Sequence, residues 1–381
     1  MRKEPDRKHE EKPLVVAIGP FPPFVGGAAK NTAIICDALE KRGSQVTRLP
    51  TNMTRTRSEH KRSLGFLTDR FMGFLSNLGR LVFPRQDSQT TAVYLVPDGG
   101  LGVTFAIFYA LASAARFPRL VVHHRSYNHI RKRSRLMAVL MKIAPSKTLH
   151  VFLDPVMEQR FKAVYSAEIK STYVPNAATC DVASQESTAL IATNQTITIG
   201  FLSNLVEDKG FDVVAEAFPR IRERLGPAVR FLLAGRPVRS RNAARLVTLR
   251  QRLGDHLEYA GELAGPAKVD FFRACDVFVF PTRFAQEAQP NVLYEAMAGG
   301  AAIVATRWAG IPWILDGTVH RLIDAGPTCA DELVEAVVEL VTSCNFGASR
   351  SGQLDAFRAK KSDADARYSA LIEVLLDTAV S

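Results

Sequence analysis

The sequence has few of the features that define metal-binding, disulfide-rich or membrane-spanning proteins. Its 381 residues include five cysteines, and none of them forms a C-x-x-C pair. A zinc site or a disulfide framework is therefore not indicated. The longest apolar run, about 15 residues at 101–115, is shorter than the ~20 residues that a membrane-spanning helix needs. It predicts a buried helix, and with no visible signal peptide we expect a protein of the reducing cytoplasm.

Charge is distributed unevenly along the chain. Residues 1–190 carry 28 Lys and Arg against 15 Asp and Glu, whereas residues 191–381 carry 21 against 23. The basic first half indicates an anionic partner, such as a membrane surface, an acidic glycan or nucleic acid. Nucleic acid is not favoured, because no known binding motif accompanies the charge. The densely charged residues 1–12 predict a disordered terminus.

A basic amphipathic segment occupies residues 53–85. Its apolar residues recur every three or four positions, and basic residues surround them: Leu64, Leu67, Phe71, Phe74, Leu75 and Leu78 against Arg55, Arg57, Lys61, Arg62, Arg70 and Arg80. A second basic cluster, Arg131, Lys132, Arg133 and Arg135, heads a helix predicted over 130–143. Such segments lie on anionic membranes. Alternatively, the apolar stripe packs on its own domain and the charges are solvated.

Short apolar runs alternate with helical patterns along most of the chain. Candidate strands lie at 14–19, 45–49, 92–96, 119–124, 149–153 and 172–176, and again at 196–203, 229–235, 257–261, 277–281 and 302–306. This alternation is typical of parallel sheets covered by helices. The small, polar residues between the two series predict a linker. We therefore expect an α/β protein with two Rossmann-like domains facing across a cleft, with ligands at the carboxyl ends of strands.

Two glutamates, Glu287 and Glu295, frame the start of a short predicted helix. Proline is favoured in the first helical turn and glycine ends helices, so Pro290 and Gly299 predict the helix bounds. Glu287 then lies in the loop before the helix, and Glu295 lies one and a half turns inside it. The helix N-terminus between them attracts phosphate. A nucleotide sugar fits this order of groups, although a solvated surface helix is the alternative.

Six motifs in order resemble a known family. They read K-G-F-D, L-L-A-G, Y-A-G-E, A-C-D-V-F-V-F-P-T, E-A-Q-P-N-V-L-Y-E-A-M-A-G-G and A-I-V-A-T-R-W-A-G-I-P. The series resembles glycosyltransferase family 4, the retaining group 1 glycosyltransferases of the two-Rossmann GT-B fold. The first half agrees more loosely through G-P-F-P-P-F-V-G-G-A-A-K and V-P-N-A-A-T. The resemblance covers roughly residues 14–320.

The resemblance implies roles for residues of the second domain. Glu287 corresponds to the glutamate that holds hydroxyls of the transferred sugar, and Glu295 to the one that holds the nucleotide ribose. Lys209 corresponds to the lysine that binds the diphosphate. The helix start that faces the phosphates corresponds to Gln289, Pro290, Asn291 and Val292.

In the first domain, the resemblance implies a histidine near the donor sugar at the end of a strand. His124 is the favoured match and His123 is its rival, with Arg125 as a candidate phosphate contact. Gly26 and Gly27 match the family's glycine-rich acceptor-side loop and would let the backbone approach the diphosphate or the acceptor. A histidine pair or a glycine turn can also be purely structural.

Two departures from the family pattern bear on the donor. An arginine usually stands five positions before the lysine, but this chain has Asn204 there, so one cation of the diphosphate clamp is missing. Arg125, Arg236 or Arg283 could substitute for it. The later glycine-glycine-x-proline-glutamate pattern reads A-G-I-P-W, with Trp313 in the acidic position.

The resemblance also implies the organisation and the activity. Residues 1–178 form an acceptor-binding domain, 179–194 a linker, 195–350 a nucleotide-sugar-binding domain and 351–381 a C-terminal helix packing back on the first domain. We expect a retaining sugar transferase that needs no metal or other cofactor and no protein nucleophile. Its acceptor is a saccharide or lipid-linked saccharide at the inner membrane face. The alternatives are a nucleotide-sugar epimerase and a catalytically degenerate scaffold of polysaccharide assembly.

Overall fold

The computed structural model describes residues 13–23, 26–52, 64–83, 90–180, 196–343, 346 and 349–377. They belong to two compact units, one of Met1–Val174 with Ala366–Ser381 and one of Pro175–Asp365. Each unit contains a six-stranded sheet, and the predicted α/β class of two Rossmann-like domains is confirmed. The predictions for residues 1–12, for 53–63 and 84–85 of the basic segment, and for 181–194 of the linker lie outside the described residues.

The first unit is built on a parallel sheet in the order β2-β1-β3-β4-β5-β6. Its strands are β1 (Leu14–Gly19), β2 (Gln45–Pro50), β3 (Thr90–Leu95), β4 (Leu120–His123), β5 (Leu149–Phe152) and β6 (Lys170–Tyr173). Its helices are α1 (Gly27–Lys41), α2 (Leu64–Val82), α3 (Val103–Arg116), α4 (Asn128–Arg131), α5 (Arg135–Ile143) and α6 (Pro155–Tyr165).

The second unit has a parallel sheet in the order β12-β11-β10-β7-β8-β9. Its strands are β7 (Ile197–Leu202), β8 (Val229–Ala234), β9 (Leu257–Gly261), β10 (Val277–Phe280), β11 (Ala302–Thr306) and β12 (His320–Ile323). Its helices are α7 (Phe211–Leu225), α8 (Ser240–Leu253), α9 (Gly265–Ala274), α10 (Asn291–Ala298), α11 (Ile311–Leu315) and α12 (Cys329–Thr342), and α13 (Ser349–Leu376) runs on into the first unit's residues. None of the helices among the described residues is both long and apolar enough to cross a bilayer.

Helices cover both faces of the second sheet, which explains why its central strands read as near-continuous apolar runs. On one face, Phe218 of α7 stacks on Phe231 of β8 with 4.4 Å between ring centroids. On the other face, Phe272 of α9 meets Phe278 of β10 edge to face at 5.3 Å. Successive residues of a strand point to opposite faces, so each core strand needs apolar side chains at every position.

The strand order of the second sheet reverses between β7 and β10. In open α/β sheets, ligands bind beyond the carboxyl ends of the two strands that flank such a reversal. The loop after β7 carries Lys209 and the loop after β10 carries Glu287. The topology therefore brings these two residues, 78 positions apart in sequence, to the same edge of the sheet.

Two glycines allow the loops at this edge to approach each other closely. Gly210 has a φ of +85°, and a Cβ there would lie 2.2 Å from the carbonyl oxygen of Pro281 at the end of β10. Gly235, at the end of β8, has a φ of +123°, and a Cβ there would lie 1.7 Å from the carbonyl oxygen of Ser203. The glycines of K-G-F-D and L-L-A-G are thus required by backbone packing at the edge where ligands bind in such sheets.

The structure corrects three details of the sequence prediction. A sixth strand of the second sheet, β12, was missed because its residues are mostly half-exposed and show no apolar run. The helix expected over 130–143 is two helices, since Ser134 caps α5 by accepting a hydrogen bond from the Met137 N–H at 3.3 Å. The run expected to be a buried helix is α3, but Phe108 and Leu111 on it are 47% and 45% exposed.

The last helix, α13, begins by closing the ends of two other helices. The Arg350 guanidinium donates to the carbonyl oxygens of Gly299 at 2.7 Å and of Arg273 at 3.1 Å. These carbonyls end α10 and α9, where helix oxygens have no intrahelical partner. In the first unit's portion of α13, the Tyr368 hydroxyl donates to the Ile34 carbonyl oxygen at 3.2 Å.

We expect Gly235→Ala to destabilise the second unit by about 3 kcal/mol or more, because it adds a backbone clash to a strained φ. The matched control is Gly226→Ala, with a similar positive φ of +77° but nothing within 4 Å of the added Cβ. Because Gly226 has a ψ of −164°, a conformation essentially limited to glycine, the control should cost about 1–3 kcal/mol, less than Gly235→Ala. Urea unfolding measures both, and equal midpoints for the two variants would show that the clash has no energetic weight.

Candidate active site

The loop after β7 presents Lys209 from a short 3₁₀ turn, Glu207–Lys209. The turn is tied to the loop after β10, because the Asp208 carbonyl oxygen accepts from the Arg283 N–H at 2.9 Å and from the Thr282 hydroxyl at 3.3 Å. The two loops therefore hold each other in place at the topological reversal.

The loop carrying Glu287 is also fixed from the β11 side. The Trp308 indole N–H donates to the Phe284 carbonyl oxygen at 2.9 Å, and the Thr306 hydroxyl donates to the Thr282 carbonyl oxygen at 2.5 Å. A turn hydrogen bond of 3.0 Å from the Glu287 N–H to the Phe284 carbonyl oxygen completes the loop. Glu287 lies before the helix, as predicted.

Lys209 and Glu287 form an ion pair at the centre of this edge. Their side chains are only 19% and 11% exposed. The Lys209 ammonium also lies 4.5 Å from the ring centroid of Phe284, within cation–π range. The lysine predicted to bind diphosphate and the glutamate predicted to bind sugar hydroxyls are therefore direct neighbours.

The helix predicted between the two glutamates is confirmed as α10. It starts after Pro290, which occupies the N-cap position, and Gly299 occupies the C-cap position. Glu295 lies at its fifth residue, one and a half turns inside, as expected. The Lys268 ammonium of α9 lies 2.7 Å from Glu295 Oε1 and 2.6 Å from Oε2. A second lysine–glutamate pair thus follows the helix N-terminus in sequence, whereas Glu287 precedes it.

The side chain of Gln289 is buried and does not face a ligand site. It is 4% exposed, and its Oε1 accepts from the Asn176 N–H at 3.0 Å and from the Tyr294 hydroxyl at 3.2 Å. The Asn176 amide in turn donates to the Gln289 carbonyl oxygen at 2.8 Å. The amide side chain of Gln289 therefore anchors the start of α10 to the V-P-N segment. Only the backbone of Gln289 remains for the predicted contact with the donor.

The remaining residues of the predicted donor site lie around the same edge. Asn291 and Val292 form the first turn of α10 and are half-buried. Asn204 lies in the loop after β7 and is exposed. A helix of eight residues directs N–H groups and the positive end of its dipole outward at this turn.

The cations suggested as substitutes at Asn204 differ in their availability. The Arg283 guanidinium donates to the Asp212 carboxylate at 2.5 Å, so it already has an anionic partner within the second unit. Arg236 follows β8, and its side chain is 42% exposed, with Nε 3.6 Å from Glu262 Oε1. Of these two residues of the second unit, Arg236 is the less constrained.

Trp313 occupies the position where the family pattern has an acid. It lies on α11, packs against the core on the α10 side of the sheet, and has the Lys360 ammonium 5.8 Å from its ring centroid. An acidic side chain here would face a lysine, whereas the tryptophan meets that lysine through its π face.

The histidine pair of the first unit points to opposite faces of β4. His124 is buried, with Nε2 3.0 Å from His150 Nδ1 and its ring stacked 4.8 Å from Phe152. His123 is also buried, and the Tyr94 hydroxyl lies 2.8 Å from its Nδ1. Its Nε2 has no hydrogen-bond partner among the described residues. His124 is thus fully engaged in the core, and His123 is the one with a ring nitrogen left over.

Burial lowers the pKa values of both rings. The pKa of His123 lies well below its ordinary value because of burial, then the charge of Arg125 and then His124. The pKa of His124 is lowered by burial and by the neighbouring His150 and His129. Both histidines are therefore neutral at pH 7 and can act as hydrogen-bond donors or acceptors rather than as cations.

Gly26 and Gly27 lie at the start of α1, after β1. Gly26 is the N-cap, with extended backbone, and a Cβ there would meet nothing within 4 Å. Both glycines are exposed. Among the described residues, no close contact requires a glycine at position 26.

The described residues contain no group of three His, Cys, Asp or Glu side chains that could hold a metal ion. One Asp-x-Asp triplet occurs in the chain, Asp363 to Asp365, within α13. Residues two apart on a helix project about 200° apart, so the triplet cannot clamp one ion. Asp365 is paired with Lys361.

Three residues that build the site were not predicted. Lys268 and Glu295 are 27 positions apart on different helices, and Asn176 and Gln289 are 113 apart. Trp308 reaches the Phe284 carbonyl oxygen from the next strand. No local sequence pattern predicts such contacts, since each depends on how helices and loops pack in three dimensions.

The histidine cluster predicts a pH-dependent stability of the first unit. Burial lowers the pKa of His150 to about 4. The unfolded chain binds this proton near pH 6.5, so the stabilisation is complete above about pH 6.5 and is lost as the pH falls toward 4, by about 1.4 kcal/mol per pH unit. His150→Asn should reduce the stability difference between pH 6.5 and 5 measured by urea unfolding. An unchanged difference would contradict the assignment.

Comparison with known proteins finds similarity to one family in the second unit. Residues 196–343 match the family model described as Glycosyl transferases group 1. The GDP-mannose-dependent alpha-(1-6)-phosphatidylinositol monomannoside mannosyltransferase of Mycobacterium tuberculosis is 26% identical over 220 residues, 54% of this chain and 55% of that protein. The chain thus spans about half the length of this curated relative.

Solved structures share the fold of the chain. Sucrose-phosphate synthase from Thermosynechococcus elongatus matches with a TM-score of 0.66 at 14% identity, covering 94% of this chain and 98% of that one. Anabaena HepE in complex with UDP matches with a TM-score of 0.65 at 15% identity, covering 94% and 99%. At these identities the likeness concerns the fold alone. Together with the match of residues 196–343 to the group 1 model, it confirms the predicted resemblance to group 1 glycosyltransferases of the GT-B fold.

Proposed function

We propose that this protein is a retaining glycosyltransferase that moves a sugar from a nucleotide-sugar donor, a UDP-sugar or GDP-mannose, to a saccharide or lipid-linked saccharide. One observation carries the proposal. Two lysine–glutamate pairs, Lys209 with Glu287 and Lys268 with Glu295, flank the N-terminus of α10 at the reversal of the second sheet. A diphosphate between two sets of hydroxyls matches this order of cation, carboxylate and helix dipole.

In this proposal each group meets one part of the donor. Glu287 accepts hydrogen bonds from the sugar hydroxyls, and Glu295 accepts them from the ribose. Lys209 and the N–H groups at the start of α10 stabilise the negative charge that develops on the leaving diphosphate. This electrostatic stabilisation needs neither a metal ion nor a protein nucleophile. The acceptor hydroxyl attacks the anomeric carbon from the face that the diphosphate leaves and passes its proton to the departing phosphate oxygen, so the bond to the diphosphate breaks and the configuration is retained.

The first unit contributes the acceptor side in this proposal. Of the two histidines, the geometry favours His123, because its Nδ1 is fixed by Tyr94 and its Nε2 has no partner among the described residues. Gly26 and Gly27 are exposed, and their lack of a side chain would let a ligand approach the backbone. The M. tuberculosis relative is named for GDP-mannose and a phosphatidylinositol mannoside, which supports GDP-mannose as a donor and a lipid-linked sugar as an acceptor.

The donor site predicts stabilisation by one class of nucleotide. UDP, GDP, ADP and CMP are tested by thermal unfolding on the wild type and on Glu295→Gln. A nucleotide at about 100 times its dissociation constant should add about 2.7 kcal/mol of stability, and the shift should be smaller in the variant. The matched control is Glu339→Gln, which removes an exposed glutamate paired with Arg321.

The outcomes separate the alternatives. No shift with any nucleotide contradicts an active transferase and favours the catalytically degenerate scaffold. That alternative is consistent with Asn204 and Trp313, which replace charged residues of the family pattern. Nucleotide binding with conversion of the donor sugar in the absence of acceptor identifies an epimerase. Transfer to an acceptor that Glu287→Gln abolishes supports the proposed reaction.

We also propose that the first unit docks on an anionic membrane through an exposed apolar surface on α2 and α3. We call it the α2–α3 surface, and it consists of Phe71, Met72, Leu75, Phe108 and Leu111, each 44–63% exposed. The buried Phe74 joins its two halves, with its ring 6.3 Å from Phe71 and 5.8 Å from Phe108. The apolar area is therefore continuous across the two helices.

The charged residues on the helices around the α2–α3 surface are mostly basic. Helices α2, α3 and α5, which pack side by side, contain one acidic residue among them, Asp69. Basic residues on or beside these helices are Arg80, Arg116, Arg131, Lys132, Arg133, Arg135 and Lys142. An apolar ridge with a cationic border suits the interface of an anionic bilayer, where apolar side chains enter the acyl region and cations meet headgroups.

Binding to vesicles tests this docking surface. Met72→Glu with Leu75→Glu should weaken binding to phosphatidylglycerol-containing vesicles by about tenfold or more, because burial of each side chain contributes on the order of 1.5 kcal/mol. Val247→Glu, at an apolar position of the second unit that is 54% exposed, is the matched control. Equal co-sedimentation of both variants with the wild type would contradict docking through the α2–α3 surface.

A further inference from the structure

A lysine that no family motif includes lies against the carboxylate predicted to hold the ribose. We infer that Lys268 is a positioning residue for nucleotide binding, which holds the Glu295 carboxylate in the orientation that accepts the ribose hydroxyls. The inference rests on the proposed donor site and assigns a new residue to it. Its basis is the packing of α9 against α10, the geometry of the ion pair and the burial of both partners.

The approach of α9 to α10 depends on a glycine. A Cβ at Gly299 would lie 2.5 Å from the Phe272 carbonyl oxygen of α9. Arg350 then joins the carboxyl ends of both helices by donating to Gly299 and Arg273 carbonyl oxygens. The relative position of the helices is therefore fixed at one end, and Lys268 lies opposite Glu295 as a result.

The pair itself leaves little freedom to Glu295. The Lys268 ammonium lies 2.7 Å from Oε1 and 2.6 Å from Oε2, so it contacts both oxygens. The side chains are 25% and 12% exposed, and the ammonium lies 5.8 Å from the Phe272 ring centroid. A carboxylate has about four acceptor sites. The hydrogen bond from Lys268 goes to Oε1, and the buried Oε2 accepts none from the described residues, so acceptor sites remain for ribose hydroxyls.

The burial of Glu295 explains why it needs a cation. A carboxylate at 12% exposure loses much of its hydration, and an unpaired buried charge is strongly unfavourable. Lys268 compensates that charge before a ligand arrives. The ribose hydroxyls then bind a carboxylate that is already oriented, so nucleotide binding does not include the free-energy cost of ordering the Glu295 side chain.

A purely structural role of Lys268 predicts a different pattern of effects. If the lysine only joined α9 to α10, its loss would lower stability and weaken all nucleotides alike. If it orients Glu295 toward the ribose, its loss must reduce the preference for a ribose over a deoxyribose. The ratio of the two affinities is therefore the informative quantity.

The experiment measures the affinities of GDP and UDP and of their 2′-deoxy analogues by titration calorimetry on the full chain. The wild type should prefer the ribonucleotide by about tenfold or more, as expected for a hydrogen bond to a charged acceptor. Lys268→Met should reduce that preference to less than about threefold, whereas Lys268→Arg should largely restore it. In Glu295→Gln, adding Lys268→Met should change the preference no further.

The outcomes distinguish this inference from the proposed function. A wild-type preference that is unchanged in Lys268→Met overturns the positioning role and leaves the donor site standing. A wild type that binds both sugar forms equally overturns it as well, since Glu295 then does not read the ribose. Failure of the wild type to bind either nucleotide overturns the donor site and the positioning role together. A thermal melt of each variant verifies folding.

Discussion

The close approach of the loops after β7 and β10 is the constraint on which the site depends. Gly210 lets the 3₁₀ turn lie against the carbonyl oxygen of Pro281. Hydrogen bonds from Thr282 and Arg283 to Asp208 then tie the two loops together. The positions of Lys209 and of the loop that carries Glu287 thus depend on backbone contacts that a single methyl group at Gly210 would prevent. The sheet topology brings the two loops to the same edge, and the glycines allow their backbones to come into contact.

Much of the second unit could be predicted from its sequence because its signals are local. The central strands β7, β8, β10 and β11 are mostly buried apolar runs, and the proline and glycines around α10 mark where that helix starts and ends. β12 escaped prediction because an edge strand with half-exposed residues lacks that apolar signal. The partnership of Glu295 with Lys268 escaped because it depends on helix packing, which sequence spacing does not encode.

The first unit shows the opposite balance. Its strands were visible, but the functional assignment within V-V-H-H-R-S was not, since both histidines follow the same strand and only their faces differ. The structure separates them: His124 belongs to a stacked cluster with His150 and Phe152, and His123 faces Tyr94. The amphipathic segment was recognised from its period, yet the period could not tell which of its apolar residues are covered. Phe74 is buried, whereas Phe71 and Leu75 are exposed.

The pairing of Lys209 with Glu287 has a consequence for selectivity. An isolated phosphate would draw the lysine away and leave a secluded carboxylate without compensation. A free sugar would engage the carboxylate but offer nothing to the cation. A molecule that carries an anion and hydroxyls at the right separation satisfies both at once. In the proposed donor site, the ion pair would therefore favour ligands that carry both an anion and hydroxyls over ligands that carry only one of the two.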